Sequence, residues 1–255
     1  MATRQERKPS KILSIDIGGS KVKFLASGET EPRKTSSGKD LTPARMVADV
    51  RRATRDWRYR AVSIGIPAVT GDNGPISEPG NLAPGWVGFD FAAAFECPVR
   101  IVNDAAMQAL GSYEGGRMLF LGLGTGVGSV LIVHHTIIPL ELGELAYKAD
   151  HTLSSRLGRE ALDDAGKKKW RNRVLDIVPS LQCAFLADYV VLGGGNAKYI
   201  AKNGGSPLPP NVRLGHNLTA FRGGYRLWGI DDVATLDAKG AEPRRPEPST
   251  EWRLL

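Results

Sequence analysis

The segment that decides the fold is ILSIDIGGSKVKFLA, residues 12–26. Its two apolar stretches flank a turn that holds Asp16, Gly18, Gly19, Ser20 and Lys21. Glycine permits positive φ and close approach to a polyanion, while the turn N–H groups and Lys21 can donate to phosphate oxygens. Asp16 is suited to hold a hydrated Mg²⁺. The segment therefore predicts a hairpin with a phosphate-binding turn, although a hairpin without a ligand also favours Gly-Gly.

Two further glycine-rich turns follow in order. GLGTGVG, residues 122–128, lies between apolar stretches and predicts a second strand, glycine turn and strand unit that fits phosphates. VVLGGGN, residues 190–196, predicts a buried strand ending in glycines, where a base or ribose could lie on bare backbone. The G-x-x-x-x-G-K-[ST] motif does not occur, and these turns lead into strand patterns, whereas a dinucleotide fingerprint would begin a helix.

Strands and helices alternate along the first part of the chain. A helix is expected to begin at Pro43 with Thr42 as its cap, and a buried strand is expected over residues 61–66. A long loop rich in Gly, Pro and Asn covers residues 67–88, and a short helix follows Asp90.

The opening pattern then repeats. A strand over residues 99–102 leads into a helix that begins at Asp104, and a second strand pair covers residues 118–133. Helices are expected over residues 154–164 and over residues 168–186, with a kink near Pro179. Two regions that each begin with a hairpin and then add helices fit a duplicated α/β architecture of the actin-like, ribonuclease H type.

Five motifs occur in the order found in the ROK family of sugar kinases, which this chain resembles over about residues 11–225. They are residues 16–21, the dipeptide Asn103-Asp104, residues 122–128, residues 141–143 and residues 193–195. Within that family the chain is most similar to the polyphosphate glucokinase branch, because of residues 170–175 and 187–195.

The resemblance implies an α/β, actin-like (ribonuclease H-like) ATPase fold with two lobes around a central cleft. We expect an N-terminal lobe over residues 11–103, with the first phosphate turn and the loop of residues 67–88, which we call the sugar loop. A C-terminal lobe is expected over residues 104–234, with the second phosphate turn and a nucleotide- or donor-binding loop at residues 193–195, which we call the donor loop. Residues 235–255, rich in Pro and charge, are expected to be a disordered tail.

The resemblance also implies a Mg²⁺-dependent glucokinase that phosphorylates the 6-hydroxyl of glucose from polyphosphate, ATP or both. Asp104 is the candidate base, because it follows a buried strand and begins a helix whose positive N-terminal end keeps a carboxylate ionised. An ordinary N-cap aspartate could occupy the same place. The predicted sugar-binding residues are Asn81, Asn103, Asp104, Glu141 and Glu144. The predicted phosphate- and donor-binding residues are Asp16, Gly18, Gly19, Ser20, Lys21, Gly124, Thr125, Gly126, Gly193, Gly194 and Gly195.

Two positions depart from the family pattern. Glu144 stands where the family usually has histidine, and Ala68 stands in place of a glycine, so hexose choice is open. The alternatives are a kinase for another hexose, a catalytically silent sugar- or phosphate-binding protein of the same fold, and an actin-like ATPase that needs no sugar.

Composition limits the partners and the compartment. The formal net charge of +7 suits a polyanionic partner, and Lys167, Lys168 and Lys169 could follow a polyphosphate chain or form a solvated helix face. No helix-turn-helix or secretory signal is expected before Ile12, and no apolar run approaches the roughly 20 residues of a spanning helix. We therefore expect a cytoplasmic protein without nucleic-acid or membrane partners.

Cysteine usage bears on metals and redox state. Cys97 and Cys183 have no partner pattern and are expected to be reduced and buried. The cysteine cluster of zinc-containing ROK members has no counterpart here, so structural zinc is not expected. The resemblance further implies a homodimer.

Overall fold

The computed structural model describes residues 11–148, 150–201, 207–216, 218–231 and 252–255. The chain divides into two compact units. The first contains the described residues up to Met107 and those from Ala220 to Asp231, and the second contains those from Gln108 to Thr219 and from Trp252 to Leu255. The predicted boundary after residue 103 lies near this division, while residues 220–231 pack with the first unit and not with the second. The assignment of two lobes around a cleft stays a prediction.

The first unit is built on a five-stranded sheet with the order β3-β2-β1-β4-β7. Its strands are β1 Ile12–Ile17, β2 Lys21–Ala26, β3 Arg33–Ser36, β4 Ala61–Ile66 and β7 Val99–Asn103, and a small hairpin of β5 Thr70–Gly71 and β6 Gly74–Pro75 lies in the sugar loop. β1, β4 and β7 are parallel, and β2 and β3 are antiparallel to their neighbours. The carboxyl ends of β1, β4 and β7 therefore lie side by side at the same end of the sheet.

The helices of the first unit are α1 Pro43–Ala53, α2 Phe91–Phe95, α3 Asp104–Ser112 and α7 Thr219–Arg226, of which α3 and α7 cross the division between the units. The Thr42 hydroxyl accepts from Arg45 N at 3.3 Å, so Thr42 caps α1 as predicted. α7 packs tightly on the sheet, since a Cβ on Gly224 would lie 2.0 Å from Ser14 Oγ. All residues of β4 are buried, consistent with a central strand covered on both faces.

The second unit contains a six-stranded sheet with the order β12-β11-β8-β9-β10-β13. Its strands are β8 Arg117–Leu123, β9 Val127–Val133, β10 Thr136–Leu140, β11 Tyr189–Gly193, β12 Val212–Leu214 and β13 Arg253–Leu254. Its helices are α4 Leu153–Leu157, α5 Arg159–Ala184 and α6 Lys198–Ala201, with a 3-10 turn over Leu142–Glu144. Trp170 and Val174 of α5 and Val190 and Leu192 of β11 belong to one buried apolar cluster, which holds α5 to the sheet.

The break in the long helix lies at the predicted gap between residues 164 and 168, and the predicted interruption near Pro179 is wrong. The backbone of Pro179 stays helical within α5, whereas Gly166 has φ 73° and ψ 157° and interrupts the helix. Glycine adopts positive φ without steric cost, so the helix breaks there, and one missing N–H at Pro179 is tolerated.

Two further expectations need correction. Cys97 and Cys183 are both free, but Cys183 is exposed and Cys97 is only partly buried. At the C-terminus, residues 235–251 of the predicted tail lie outside the described residues, while β13 pairs in parallel with β10 and the Trp252 ring lies 5.5 Å from that of Tyr113. The last four residues are therefore part of the second unit's sheet.

Within the described ranges, the structure contains no helix with the length and apolarity needed to span a bilayer.

Candidate active site

Asp16 and Asp104 lie at the end of the first sheet where the parallel strands β1, β4 and β7 have their carboxyl ends. Asp16 is in register with Gly65 of β4, and Asp104 follows the last residue of β7. A Cβ on Gly65 would lie 2.6 Å from Met107 Cε and 3.4 Å from Asp104 Cα. Gly65 therefore lets the start of α3 approach the sheet, and this approach brings the two carboxylates near each other.

The environment of these carboxylates favours the proton-bound form, in contrast to the expectation that the N-terminus of α3 keeps Asp104 ionised. Burial and then the negative charge of Asp16 raise the pKa of Asp104 from 3.8 to about 7, although the backbone N–H of Ala105 opposes the shift. Burial also raises the pKa of Asp16, against the attraction of Lys23. Among the described residues, no side chain donates a hydrogen bond to either carboxylate, and neither forms an ion pair. Both can therefore accept a proton or face a cation.

Asn103 is the main cap of α3. Its Oδ1 accepts from Ala105 N at 2.9 Å and from Ala106 N at 3.4 Å, and its Nδ2 donates to Ala68 O at 3.1 Å. Asp104 Oδ1 accepts from Ala105 N at 2.8 Å. The capping function is thus carried largely by Asn103, which leaves Asp104 Oδ2 available and leaves Asn103 one N–H for a ligand.

The first glycine turn is narrow and exposed. Gly18 N donates to Lys21 O at 3.0 Å, and Gly19, Ser20 and Lys21 are exposed. Neither glycine has positive φ, in contrast to the expectation from the sequence. A Cβ on Gly19 would instead lie 2.8 Å from Asn81 Nδ2. A side chain at position 19 would displace the amide of Asn81, which packs on the turn. This packing brings a predicted sugar residue and a predicted phosphate turn together.

Sequence reasoning missed the residue that shapes the sugar loop, Glu78. Its carboxylate accepts from the N–H groups of Gly85 at 3.1 Å, Trp86 at 3.0 Å and Val87 at 3.3 Å. These bonds lower the pKa of Glu78, and the fully buried Trp86 donates from Nε1 to Ala83 O at 2.7 Å. An acidic residue a few positions before a Gly-Trp turn was the available signal.

Residues outside the second glycine turn, Gly124 to Gly126, hold it in place through hydrogen bonds. Gly124 N donates to Gly126 O at 3.0 Å, and Ser154 Oγ accepts from Val127 N at 3.1 Å. Arg159 N donates to Thr125 O at 3.0 Å. A Cβ on Gly124 would meet no atom within 4 Å, so the side of the turn at this residue is open.

Asn196 joins this turn to the donor loop, Gly193 to Gly195. It is almost fully buried, and its Nδ2 donates to Gly124 O at 2.9 Å while its backbone N donates to Leu123 O at 2.9 Å. Its Oδ1 accepts from Arg159 Nη1 at 3.1 Å. The sequence showed Asn196 only as the residue after the three glycines, and its role depends on contacts that chain order does not reveal.

The three glycines of the donor loop differ in their surroundings. A Cβ on Gly193 would lie 2.4 Å from the Phe120 ring, and one on Gly194, at φ 80°, would lie 2.5 Å from Leu123 O. Gly195 has no atom within 4 Å of such a Cβ. The first two glycines are thus required by packing and backbone conformation, and only Gly195 faces open space.

The acidic candidates of the second unit are exposed. Glu141 precedes the 3-10 turn without a side-chain cap bond, and Glu144 ends that turn. Ser129 Oγ accepts from Leu142 N at 2.9 Å and donates to Leu140 O at 2.8 Å, which fixes the backbone between them. Neither glutamate forms an ion pair with a described residue, so both carboxylates are free to accept from a ligand.

The structure thus distributes the candidates over the two units. The first carries Asp16, Gly18, Gly19, Ser20, Lys21, Asn81, Asn103 and Asp104, and the second carries Gly124, Thr125, Gly126, Glu141, Glu144, Gly193, Gly194 and Gly195. The lysines at positions 167–169 are exposed on α5, and Lys167 Nζ lies 5.1 Å from the centroid of the Tyr199 ring.

Known proteins provide an independent comparison. No family model matches the chain. Among curated proteins, the polyphosphate glucokinase of Mycobacterium tuberculosis is 24% identical, over 71% of this chain and 76% of that protein. Among solved structures, the inorganic polyphosphate/ATP-glucomannokinase of Arthrobacter sp. strain KM has a TM-score of 0.71 at 20% identity, covering 90% of this chain and 99% of that chain.

A second solved structure points the same way. A ROK family glucokinase from Streptomyces griseus, in complex with glucose and AMPPNP, has a TM-score of 0.62 at 15% identity and covers 84% of this chain and 97% of that chain. The chain has the ROK kinase fold. The predicted actin-like ATPase fold and the predicted resemblance to the ROK sugar kinases are thereby confirmed. The kinase relatives also support the predicted enzyme class, a phosphotransferase that acts on a sugar.

Proposed function

We propose that this ROK-fold chain is a glucokinase that transfers a phosphoryl group from polyphosphate, ATP or both to the 6-hydroxyl of glucose. The observation that carries the proposal is the carboxylate pair Asp16 and Asp104 at the end of the glycine turn, with Asp104 Oδ2 available and its pKa raised to about 7. A base with a pKa near the working pH is well matched to accept a hydroxyl proton.

Asp104 takes the proton of the 6-hydroxyl as the oxygen attacks the terminal phosphorus. The new P–O bond forms in line with the bond that breaks, and ADP or a shortened polyphosphate leaves with the released electron pair. Around the sugar, Asn81 and Asn103 can donate and Glu141 and Glu144 can accept, which gives hydroxyl groups partners of both kinds. The protein therefore acts mainly by positioning and by moving one proton.

Asp16 is the residue that would hold Mg²⁺, through water. Its half-buried carboxylate has no hydrogen bond or ion pair from a described side chain, and burial raises its pKa, so a cation would relieve an uncompensated charge. No cluster of three or more His, Cys, Asp or Glu suited to a metal occurs among the described residues. One or two carboxylates with waters and phosphate oxygens are the usual Mg²⁺ environment, so this set fits. The ion would neutralise charge on the transferred phosphate.

The donor phosphates are proposed to bind the two glycine turns. The first supplies backbone N–H groups and Lys21, and the second supplies backbone alone, with the open position at Gly124. The donor loop is proposed to hold the part of the donor away from the transferred phosphate, at Gly195.

The test is an assay of glucose phosphorylation by the purified full-length chain, with ATP and with polyphosphate supplied separately. Glucose 6-phosphate formed in proportion to donor consumed is the expected result. Stabilisation by glucose without turnover on either donor would favour the silent binding protein, and donor hydrolysis indifferent to glucose would favour an actin-like ATPase.

One observation favours a kinase for another hexose as the second candidate. Glu144 is exposed and unpaired among the described residues, where a histidine that can donate is usual in the resembled family. An ionised carboxylate can only accept, so the preferred sugar hydroxyl would have to donate at this place. A panel of glucose, mannose and other hexoses with each donor decides between the two kinases.

A further inference from the structure

A row of lysines extends from Asp16 across the first sheet to its edge strand, β3. Asp16 on β1 is in register with Lys23 on β2, and Lys23 is in register with Lys34 on the edge strand β3. Residues directly opposite in a sheet point to the same face, and so does Lys21, two positions before Lys23. We call Lys21, Lys23 and Lys34 the lysine row.

The charges of the lysine row are not used to hold the fold. All three lysines are exposed, and none forms an ion pair with a carboxylate in the described part of the chain. The neighbouring Arg33 is a contrast, because its Nη2 donates to Asp56 Oδ2 at 2.7 Å and its guanidinium lies 4.2 Å from the centroid of the Trp57 ring. On β3, Arg33 therefore has structural partners, whereas Lys34 forms no ion pair with a described residue.

The pairing of Lys23 with Lys34 is unfavourable for the sheet itself. Like charges directly opposite one another on neighbouring strands destabilise the pairing, and Asp16 is the only acidic residue in register with either lysine. A local arrangement that costs stability without a structural return is typical of a ligand site. The sign of the charge indicates an anion, and the linear array indicates an extended one.

The row begins where the transferred phosphate is proposed to bind. The effect of Lys23 on the pKa of Asp16 shows that the two charges interact, and Lys21 belongs to the first glycine turn. A polyanion with its reacting end at Asp16 and Gly18 would continue over Lys23 and Lys34 as it leaves the turn. ATP has three phosphates and then a nucleoside, so it has no charge to place at Lys34.

We propose that the lysine row binds the chain of a linear polyphosphate beyond its transferred phosphate. This inference rests on the proposed function for the position of the reacting end. Its rival is a purely protective role for Lys34, since lysine on an edge strand prevents edge-to-edge association of sheets.

The decisive variant is Lys34→Glu, which replaces a like-charge pair by an opposite-charge pair. The matched control is Lys11→Glu, because Lys11 is exposed, lies directly before β1 at the opposite end of the same sheet, and undergoes the same change in net charge. Dissociation constants of long-chain polyphosphate and of ATP are measured by calorimetry at low salt, without glucose, together with the melting temperature and the oligomeric state.

The expected result is selective. Lys34→Glu should weaken polyphosphate binding about tenfold more than it weakens ATP binding, and should reduce the salt dependence of polyphosphate affinity. It should also melt about 1–2 °C higher than wild type, since a repulsion is removed, so the loss cannot be attributed to unfolding. Lys11→Glu should change both affinities by less than about twofold.

Other outcomes overturn the proposal. Wild-type protein that does not bind polyphosphate, unchanged polyphosphate affinity in Lys34→Glu, or equal losses for both ligands would each exclude the lysine row as this site. Association of Lys34→Glu at unchanged polyphosphate affinity would establish the protective role. The proposed kinase activity is tested independently of the lysine row. If polyphosphate binds through Lys34 but no donor yields sugar phosphate, the inference holds and the kinase proposal is rejected.

Discussion

The glycine turns of residues 18–21 and 124–126 both join two antiparallel strands, yet different groups hold them. The first is closed by a backbone bond from Gly18 N to Lys21 O, receives another from Ser37 N to Ser20 O, and lies between carboxylates and lysines. The second contains no charged side chain and is supported by Ser154, Arg159 and Asn196. One turn is thus placed among charges, and the other presents backbone groups on a rigid frame. This difference predicts that mutations near the first act on chemistry and mutations near the second act on donor affinity and stability.

The largest effect is expected beside the first turn. Asp104→Asn should reduce turnover by roughly 10² to 10⁴, because the amide cannot take the hydroxyl proton. Steady-state kinetics with glucose and the better donor measures it, and near wild-type turnover would exclude Asp104 as the base.

Stability provides the control for this variant. The folded pKa of Asp104, about 7, lies above its ordinary 3.8, so the folded state binds the proton more tightly than the unfolded chain does. The stabilisation is complete below about pH 4 and is lost as pH rises through about 7. Asp104→Asn should therefore melt at or above the wild-type temperature at pH 8, with a smaller gain at pH 5.

Removal of the Asn196 side chain, which holds the second turn, should lower both stability and donor affinity. Asn196→Ala deletes the bond to Gly124 O and leaves the Arg159 contact without its acceptor, which should cost about 1–3 kcal/mol of stability. We expect a melting temperature lower by several degrees and a KM for the donor raised about tenfold or more, while the KM for sugar changes less. Asn196→Asp keeps the acceptor for Arg159 but places an acceptor opposite Gly124 O, so near wild-type stability in this variant would exclude the Gly124 bond as the main contribution.

The variant Gly124→Ala separates an effect on folding from an effect on donor binding. Alanine here meets no atom within 4 Å, so folding should be unaffected, but a methyl group where a phosphate binds should raise the donor KM about tenfold. Gly194→Ala is the contrasting variant, since its Cβ would meet Leu123 backbone atoms at φ 80° and should lower the melting temperature. Unchanged donor kinetics in a folded Gly124→Ala protein would place the phosphates elsewhere.

The pH profile tests the electrostatics of the carboxylate pair. With a pKa of about 7, Asp104 is mostly protonated at pH 6 and mostly ionised at pH 8, so kcat/KM should rise about tenfold over that interval. The profile is measured in buffers of constant ionic strength. A profile already flat from pH 5 upwards would mean that the ordinary carboxylate pKa applies.

The smallest effect is expected at Glu144. Replacement by histidine exchanges an acceptor for a side chain that can donate, which is worth about 1 kcal/mol for one hydrogen bond, or about fivefold. The ratio of kcat/KM for glucose to that for its epimers is the quantity to follow. If this ratio stays constant in a folded variant, Glu144 does not contact the sugar.

Several features follow directly from local sequence. The hairpin of β1 and β2, the strand β4, the helix capped by Thr42 and the helix beginning at Asp104 were predictable, because apolar periodicity and capping residues act within a few positions. The order of the glycine motifs was enough to indicate the ROK fold. The gap between the predicted helices, residues 165–167, contains the Gly166 break, whereas the interruption expected at Pro179 is absent because one missing N–H does not by itself end a packed helix.

Sequence by itself determined which chemical groups this protein has and their order: three glycine loops, the Asn-Asp dipeptide after a strand and a basic excess. Only the tertiary structure decided how they combine. Parallel pairing of β1, β4 and β7 brings Asp16 near Asp104, the register of β2 and β3 aligns Lys23 with Lys34, and burial makes Asn196 a link between two loops. The reason is physical, because pKa values and hydrogen bonds depend on distance and desolvation, which are set by residues far apart in the chain.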